Sequence, residues 1–235
     1  MKFNPSKCQV IQITKRKSAI PTQYILHNTI LETVTSAKYL GVTISNDLKW
    51  NAHIDNITTK ANQTLGFLRR NIKVHSENLK ETAYKTLVRP QLEYGSTVWS
   101  PYSTNQIDQV ESVQRRAARW VKRDYARTSS VTDMLASLNW RRLALRRIDQ
   151  RLVMFYNILH NQVAIPIPGY LIQNPRPSRT SHSQAFQQIQ AKSDYHKFSF
   201  YPRTIYHWNS LPPGTVTMSG PMFSQAVSQI EHVSP

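Results

Sequence analysis

Phosphoryl transfer on two metal ions needs carboxylates that converge and hold the ions roughly 3.5–4 Å apart. This 235-residue chain has 13 acidic residues against 30 lysines and arginines, and they are scattered. Asp47, Asp55, Asp108 and Asp149 fall on different expected elements, and no two aspartates are adjacent. With only six glycines there is no GxxxxGK[ST] phosphate loop and no GxGxxG turn. No HExxH occurs among the eight histidines, and His75 and Glu77 are wrongly spaced for a helical metal face. The single Cys8 excludes a disulfide framework and a cysteine-rich zinc module. No complete active site, metal site or cofactor motif can be read from the chain.

The cations are another matter. Three bunches stand out: Arg69, Arg70 and Lys73; Arg115, Arg116, Arg119, Lys122 and Arg123; and Arg141, Arg142, Arg146, Arg147 and Arg151. Guanidinium and ammonium groups bunched on helices suit phosphates, which position a protein on nucleic acid without specifying sequence. The formal charge of +17 repels itself unless a polyanion neutralises it, and an RNA, DNA or hybrid duplex backbone supplies that by counterion release. A membrane surface is the weaker partner, because no apolar-faced, lysine-rich helix is present. Nor does any apolar run approach the roughly 18 residues of a membrane span. The amino terminus lacks a signal-peptide apolar core. These features predict an intracellular protein, nuclear and/or cytoplasmic.

The elements that must position the cations follow from periodicity. Residues 8–13, 24–26, 29–31 and 39–44 are β-branched and aromatic, and His27-Asn28 suits a hairpin turn. They predict a small antiparallel sheet, with Gly41 inside its last strand as a bulge or close-approach point. Lys15–Ser18 reads as a polar turn. Trp50, Ile54, Ile57, Ala61, Leu65 and Leu68 then recur at helical spacing, after a cap at Asn46 or Asp47. A second helix is expected over 76–88, with Pro90 just past its end, and 91–99 reads as helical despite Gly95. Residues 104–123 place Ile107, Val110, Val113 and Ala117 on one face and the second arginine bunch on the other. Helices near 131–138 and 140–160 follow. Pro166, Pro168, Pro175 and Pro177 mark a linker. The aromatics of 198–213 predict a segment packed on the helices, and a last short helix is expected near 224–230. Trp99, Trp120, Trp140 and Trp208 read as core rather than stacking platforms.

Two strips near the amino end resemble the last palm motifs of reverse transcriptases. They are KFNPSKCQVIQIT (2–14) and AKYLGVTISNDLKWNAHI (37–54). The resemblance is to non-LTR (LINE-type, jockey- or CR1-like) retrotransposon polymerases. Asn4, Pro5, Lys7 and Cys8 fit the family's loop after the catalytic Asp-Asp turn, and Tyr39, Leu40 and Gly41 fit its primer grip. The strips at 87–101, 111–121 and 199–212 extend the likeness in the family's order. The Asp-Asp turn itself does not occur.

The resemblance implies an α+β, mostly α fold. Residues 1–47 would be a palm remnant, 48–128 a helical thumb-like region, 129–162 a helical extension and 163–235 a Pro-rich linker with an aromatic end. It implies that Tyr39, Leu40 and Gly41 grip a primer strand, and that Lys7 lies on the triphosphate side of a site whose magnesium belongs to the missing palm. The thumb-like helices would hold a template–primer duplex through Arg69, Arg70, Lys73, Arg115, Arg116, Arg119, Lys122 and Arg123. On this reading the chain is no enzyme on its own. Two alternatives stay open: a host-repurposed basic module that binds nucleic acid or protein, and a subunit that completes a polymerase site in trans with fingers and palm from elsewhere.

Overall fold

A computed structural model describes residues 3–14, 22–175 and 182–232. The turn expected at Lys15–Ser18 and Pro177 of the Pro-rich segment lie outside them. Six short strands come first: β1 (Gln9–Ile11), β2 (Ile25–Leu26), β3 (Thr29–Ile30), β4 (Glu32–Val34), β5 (Ser36–Tyr39) and β6 (Val42–Ser45). The helices follow: α1 (Asn51–Asn71), α2 (Glu77–Ala83), α3 (Arg89–Glu93), α4 (Ser96–Trp99), α5 (Thr104–Lys122), α6 (Val131–Ser137), α7 (Leu143–Leu159), α8 (Asp194–Lys197), α9 (Phe200–Asn209), α10 (Pro213–Val216) and α11 (Gly220–Val227). The fold is α+β and mostly α, as the sequence implied.

Among the described residues the strands do not form one antiparallel sheet. They form three two-stranded pieces, and β1 pairs with β4 in parallel, Gln9 opposite Glu32. The β2–β3 hairpin sits between them in sequence, which gives the chain the length a parallel return requires. That hairpin turns at His27 and Asn28, both at positive φ as a type I′ turn demands. Gly41 is not inside a strand either. With Leu40 it forms the turn between β5 and β6, both at positive φ, so that Tyr39 faces Val42.

Helix α1 starts at Trp50 without a side-chain cap. The expected cap Asp47 is used one turn earlier, where its Oδ1 accepts from the Lys49 amide at 3.0 Å. Helix α2 has the expected start, with Ser76 Oγ accepting from the Leu79 amide at 3.2 Å. It does not stop before Pro90. A π turn over Tyr84–Val88 shifts the hydrogen-bond register, so the Arg89 amide donates to the Tyr84 carbonyl. Pro90 then enters as an early residue of α3, where its missing N–H costs little. Gly95, at φ 64°, ends α3 and opens α4, and Trp99 Nε1 donates back to the Tyr94 carbonyl at 2.7 Å.

Two apolar cores share one helix. The first joins Ile54, Ala61, Leu65 and Leu68 of α1 to Val110, Val113, Ala117 and Val121 of α5, with Tyr84, Trp99, Trp120 and Trp140 around them. The second gathers Leu152 and Phe155 of α7 with Ile205 and Trp208 of α9 and Phe223 of α11. Helix α7 spans both, since Leu143 at its start belongs to the first. The aromatic end of the chain therefore packs, and the four tryptophans named above are buried. The Pro-rich segment also makes a bridge, Gln173 to Phe186, held by the Asn174 amide donating to the Ala185 carbonyl and the Gln187 amide to the Ile172 carbonyl, both at 2.8 Å. No helix among the described residues is long and apolar enough to cross a membrane.

Candidate nucleic-acid interface

Helices α1 and α5 run side by side in the same direction. At their starts Gln106 Nε2 donates to Asn51 Oδ1. One turn on, Gln109 Nε2 donates to Asp55 Oδ1 at 2.7 Å and to Thr58 Oγ1 at 3.2 Å. At the far end Arg69 lies over the ring of Tyr125, just past α5. Parallel packing therefore carries both basic helix ends to one end of the pair. Arg69, Arg70 and Lys73 meet Arg119, Lys122 and Arg123 there, where two helix carboxy termini favour cations.

The cations at this end are engaged to different degrees. Arg119 is half-buried, and its guanidinium donates to the carbonyls of Asp124, Ala126 (3.0 Å) and Ser129, clamping the loop after α5. Lys122 pairs with Glu77 at 2.8 Å. Arg115 pairs with Asp108 at 3.0 Å on an exposed face. Arg116 reaches only its own helix, donating to Ser112 Oγ at 2.8 Å. Arg123 occupies the left-handed region at φ 56°, with Nη1 3.4 Å from His75 Nε2. Among the described residues, Arg69, Arg70, Lys73, Arg116 and Arg123 are exposed and form no ion pair.

The expected primer-grip residues sit at the other end of α1. Tyr39 and Leu40 project to solvent, and Tyr94 Oη donates to the Leu40 carbonyl at 3.1 Å. The Thr43 amide donates to His53 Nδ1 at 3.2 Å, which ties the hairpin to α1. Burial, reinforced by the Lys38 charge, lowers the His53 pKa to about 4, so it is a neutral acceptor here. A cleft of about 430 Å³ opens between hairpin, α1 and α3, lined by Lys38, Gly41, His53, Asn56, Lys60 and Tyr94. Lys38, Asn56 and Lys60 were not singled out in the sequence. The signal for two of them is the exposed row Asn56, Lys60, Gln63, Phe67 and Arg70, spaced 4, 3, 4 and 3, which runs from the cleft to the basic end.

Lys7 is exposed and ends a single turn, Pro5–Lys7, whose start is held by Asn4 Oδ1 accepting from the Ser6 amide at 3.1 Å. No group of three or more His, Cys, Asp or Glu comes together among the described residues. Apart from the exposed Arg142, the third basic bunch turns inward. Arg141 pairs with Asp149, Arg146 pairs with Glu93, and Arg147 and Arg151 are buried.

A curated relative is the probable RNA-directed DNA polymerase from transposon X-element of Drosophila melanogaster. It is 26% identical over 123 residues, which cover 51% of this chain and 13% of that protein. No family model matches the chain, and no solved structure matches it. The likeness supports a region related to retrotransposon reverse transcriptases.

Proposed function

We propose that this chain is the part of a non-LTR retrotransposon polymerase that follows the catalytic carboxylates, and that it holds the template–primer backbone without polymerising on its own. One observation carries the reading. The β5–β6 turn stands at one end of α1, and the basic ends of α1 and α5 converge at the other. From His53 to Arg70 the helix rises ~25 Å at 1.5 Å per residue, the length of about seven steps of one duplex strand at 3.4 Å each. Lys38, Lys60, Arg70, Lys73, Arg116 and Arg123 would then meet phosphates, which fix register and leave sequence unread. The similarity to the X-element polymerase supports nucleic-acid binding in general, and the duplex is part of the proposal.

The trans-completing alternative has support of its own. Phe3, Ile25, Ile30, Tyr39 and Leu40 are all at least 60% exposed, apolar side chains that a missing palm would cover. The deciding experiment pairs two measurements on the isolated chain. Binding to an RNA–DNA hybrid should weaken steeply with salt and vary little with sequence, and primer extension with magnesium should give no product. Clear extension, or binding indifferent to salt, would refute the reading.

A further inference from the structure

Arginines from the third basic bunch meet another from near the end of the chain. Arg147 and Arg151 on α7 are 1% and 2% exposed. Arg203 on α9 joins them. Arg151 Nη1 donates to Ser100 Oγ at 3.0 Å, and Arg203 donates from Nη1 to the Ser100 carbonyl at 2.9 Å and from Nη2 to the Pro101 carbonyl at 3.1 Å. Arg147 also lies over the Trp99 ring at 6.0 Å and Arg203 over the Phe198 ring at 5.9 Å, but most of their N–H groups have no acceptor. All three nitrogens of Arg147, Nε and Nη2 of Arg151 and Nε of Arg203 are buried without a partner. None of the three arginines forms an ion pair among the described residues. Glu111 and Glu93 offset part of the Arg147 charge, although Glu93 also pairs with Arg146 and Glu111 also accepts from the Ala144 amide. Burial first, then the charges of Arg203 and Arg147, pull the Arg151 pKa down. Buried charge without a counter-ion is strongly unfavourable, so Arg151 and Arg203 are short of an anion.

Arg151, Arg203 and Ser100 line one cleft of about 210 Å³. That is below the ~300 Å³ where small-molecule pockets begin, so it suits one group of a larger ligand. Tyr102 and Phe198 form an aromatic shelf at its wall, stacked at 4.0 Å and 3°. Lys197 Nζ lies 5.2 Å from the Phe198 ring centroid. One acid, Asp194, also lines the cleft, and it pairs with neither arginine. We propose that this cleft is a phosphate site for a single-stranded nucleotide chain, in which Arg151, Arg203 and Ser100 bond the phosphate oxygens and the Tyr102–Phe198 shelf stacks the adjoining base. Forked guanidiniums match phosphate bidentately, and aromatic rings accept any base. The site uses none of the cations assigned to the duplex, so it stands or falls separately.

The test is thermal unfolding of the full chain at fixed ionic strength, with chloride exchanged for inorganic phosphate, thymidine 5′-monophosphate, thymidine or a polyglutamate peptide. Phosphate should raise the midpoint, the nucleotide should do so at a concentration at least tenfold lower, and thymidine should do nothing. Arg151→Met should abolish the phosphate response while leaving the midpoint in chloride unchanged or higher, since it removes an uncompensated charge. Tyr102→Ala should keep the phosphate response and lose the tenfold advantage of the nucleotide. If Arg151→Met does not fold, Tyr102→Ala at the exposed rim decides alone. No phosphate response in the wild type, an equal response in Arg151→Met, an unchanged nucleotide advantage in Tyr102→Ala, or a polyglutamate response exceeding that of the nucleotide would each overturn the proposal.

Discussion

Arg69 holds its guanidinium carbon 5.6 Å from the ring centroid of Tyr125, an interaction that ties the end of α1 to the loop beyond α5. The pair reports the parallel direction that the packing of the two helices sets. Had they packed antiparallel, the basic bunches 69–73 and 119–123 would lie at opposite ends of the first core. Packed in parallel, they concentrate positive charge where both helix dipoles are negative, an arrangement that is stable before any ligand arrives. A polyanion that docks there also displaces the counterions the cluster holds.

The exposed, unpaired cations should therefore dominate the salt dependence of binding. Replacing Arg70, Lys73 and Arg116 by Ala should lower the slope of log K against log salt by ~0.9 for each duplex DNA phosphate that is no longer neutralised. Arg115→Ala should do less, because Asp108 already offsets that charge at 3.0 Å. A binding titration at four salt concentrations reads both. Equal effects from Arg115 and Arg116 would place the duplex on a different face.

Arg119 should behave as a structural residue although it belongs to the same bunch. Its guanidinium satisfies three loop carbonyls and so closes the chain over the end of α5. Charged hydrogen bonds of this kind are worth more than neutral ones, and losing them should cost ~1–2 kcal/mol. Urea unfolding of Arg119→Ala should show that loss, with the salt slope of binding nearly unchanged.

Gly41 tests the hairpin. A Cβ added there would stand 3.0 Å from the Tyr94 ring, at a φ of +87° that side chains rarely adopt. Gly41→Ala should destabilise by ~1–2 kcal/mol from backbone strain alone. Tyr94→Ala relieves the crowding and not the φ, so the double variant should recover only part of the loss. Full recovery would mean that the turn itself carries no strain.

What the sequence made legible was whatever a period or a turn dipeptide encodes. The stripe from Trp50 to Leu68 and the two faces of 104–123 appear as helices α1 and α5, and His27-Asn28 appears as a turn. Gly41 was placed inside a strand because the positive φ of Leu40 beside it has no residue-type signature. Pro90 read as a stop because a π turn, which re-registers the backbone ahead of it, leaves no mark in composition. The convergence of the two basic bunches needed the relative direction of α1 and α5, which only their packing sets. The burial of Arg147 and Arg151 was hidden by treating charge as outward. Yet Leu143, Arg147 and Arg151 fall at intervals of four, on the row that Leu143 buries.

Two histidines should make the fold acid-labile within a defined window. His207 Nδ1 lies 2.9 Å from the Arg203 carbonyl, and its Nε2 is buried without a partner. Burial, together with the charges of Arg151, His232 and Arg203, outweighs the bond to Arg203 and lowers its pKa to about 4. His53 is held at a similar value, chiefly by burial. In the unfolded chain both return to about 6.5. Between pH 6.5 and 4 the unfolded state therefore binds protons that the folded state refuses, and stability falls as pH falls through that window. Above pH ~6.5 the contribution is present in full. The loss should approach roughly 2–3 kcal/mol per histidine by pH 4, with little beyond it. His207→Phe keeps a ring in the second core and gives up only a bond to a carbonyl within its own helix. Urea unfolding at pH 7.0 and 4.5 should show the wild type losing clearly more stability than the variant across that interval. An equal loss in the two proteins would mean that His207 is protonated in the folded state.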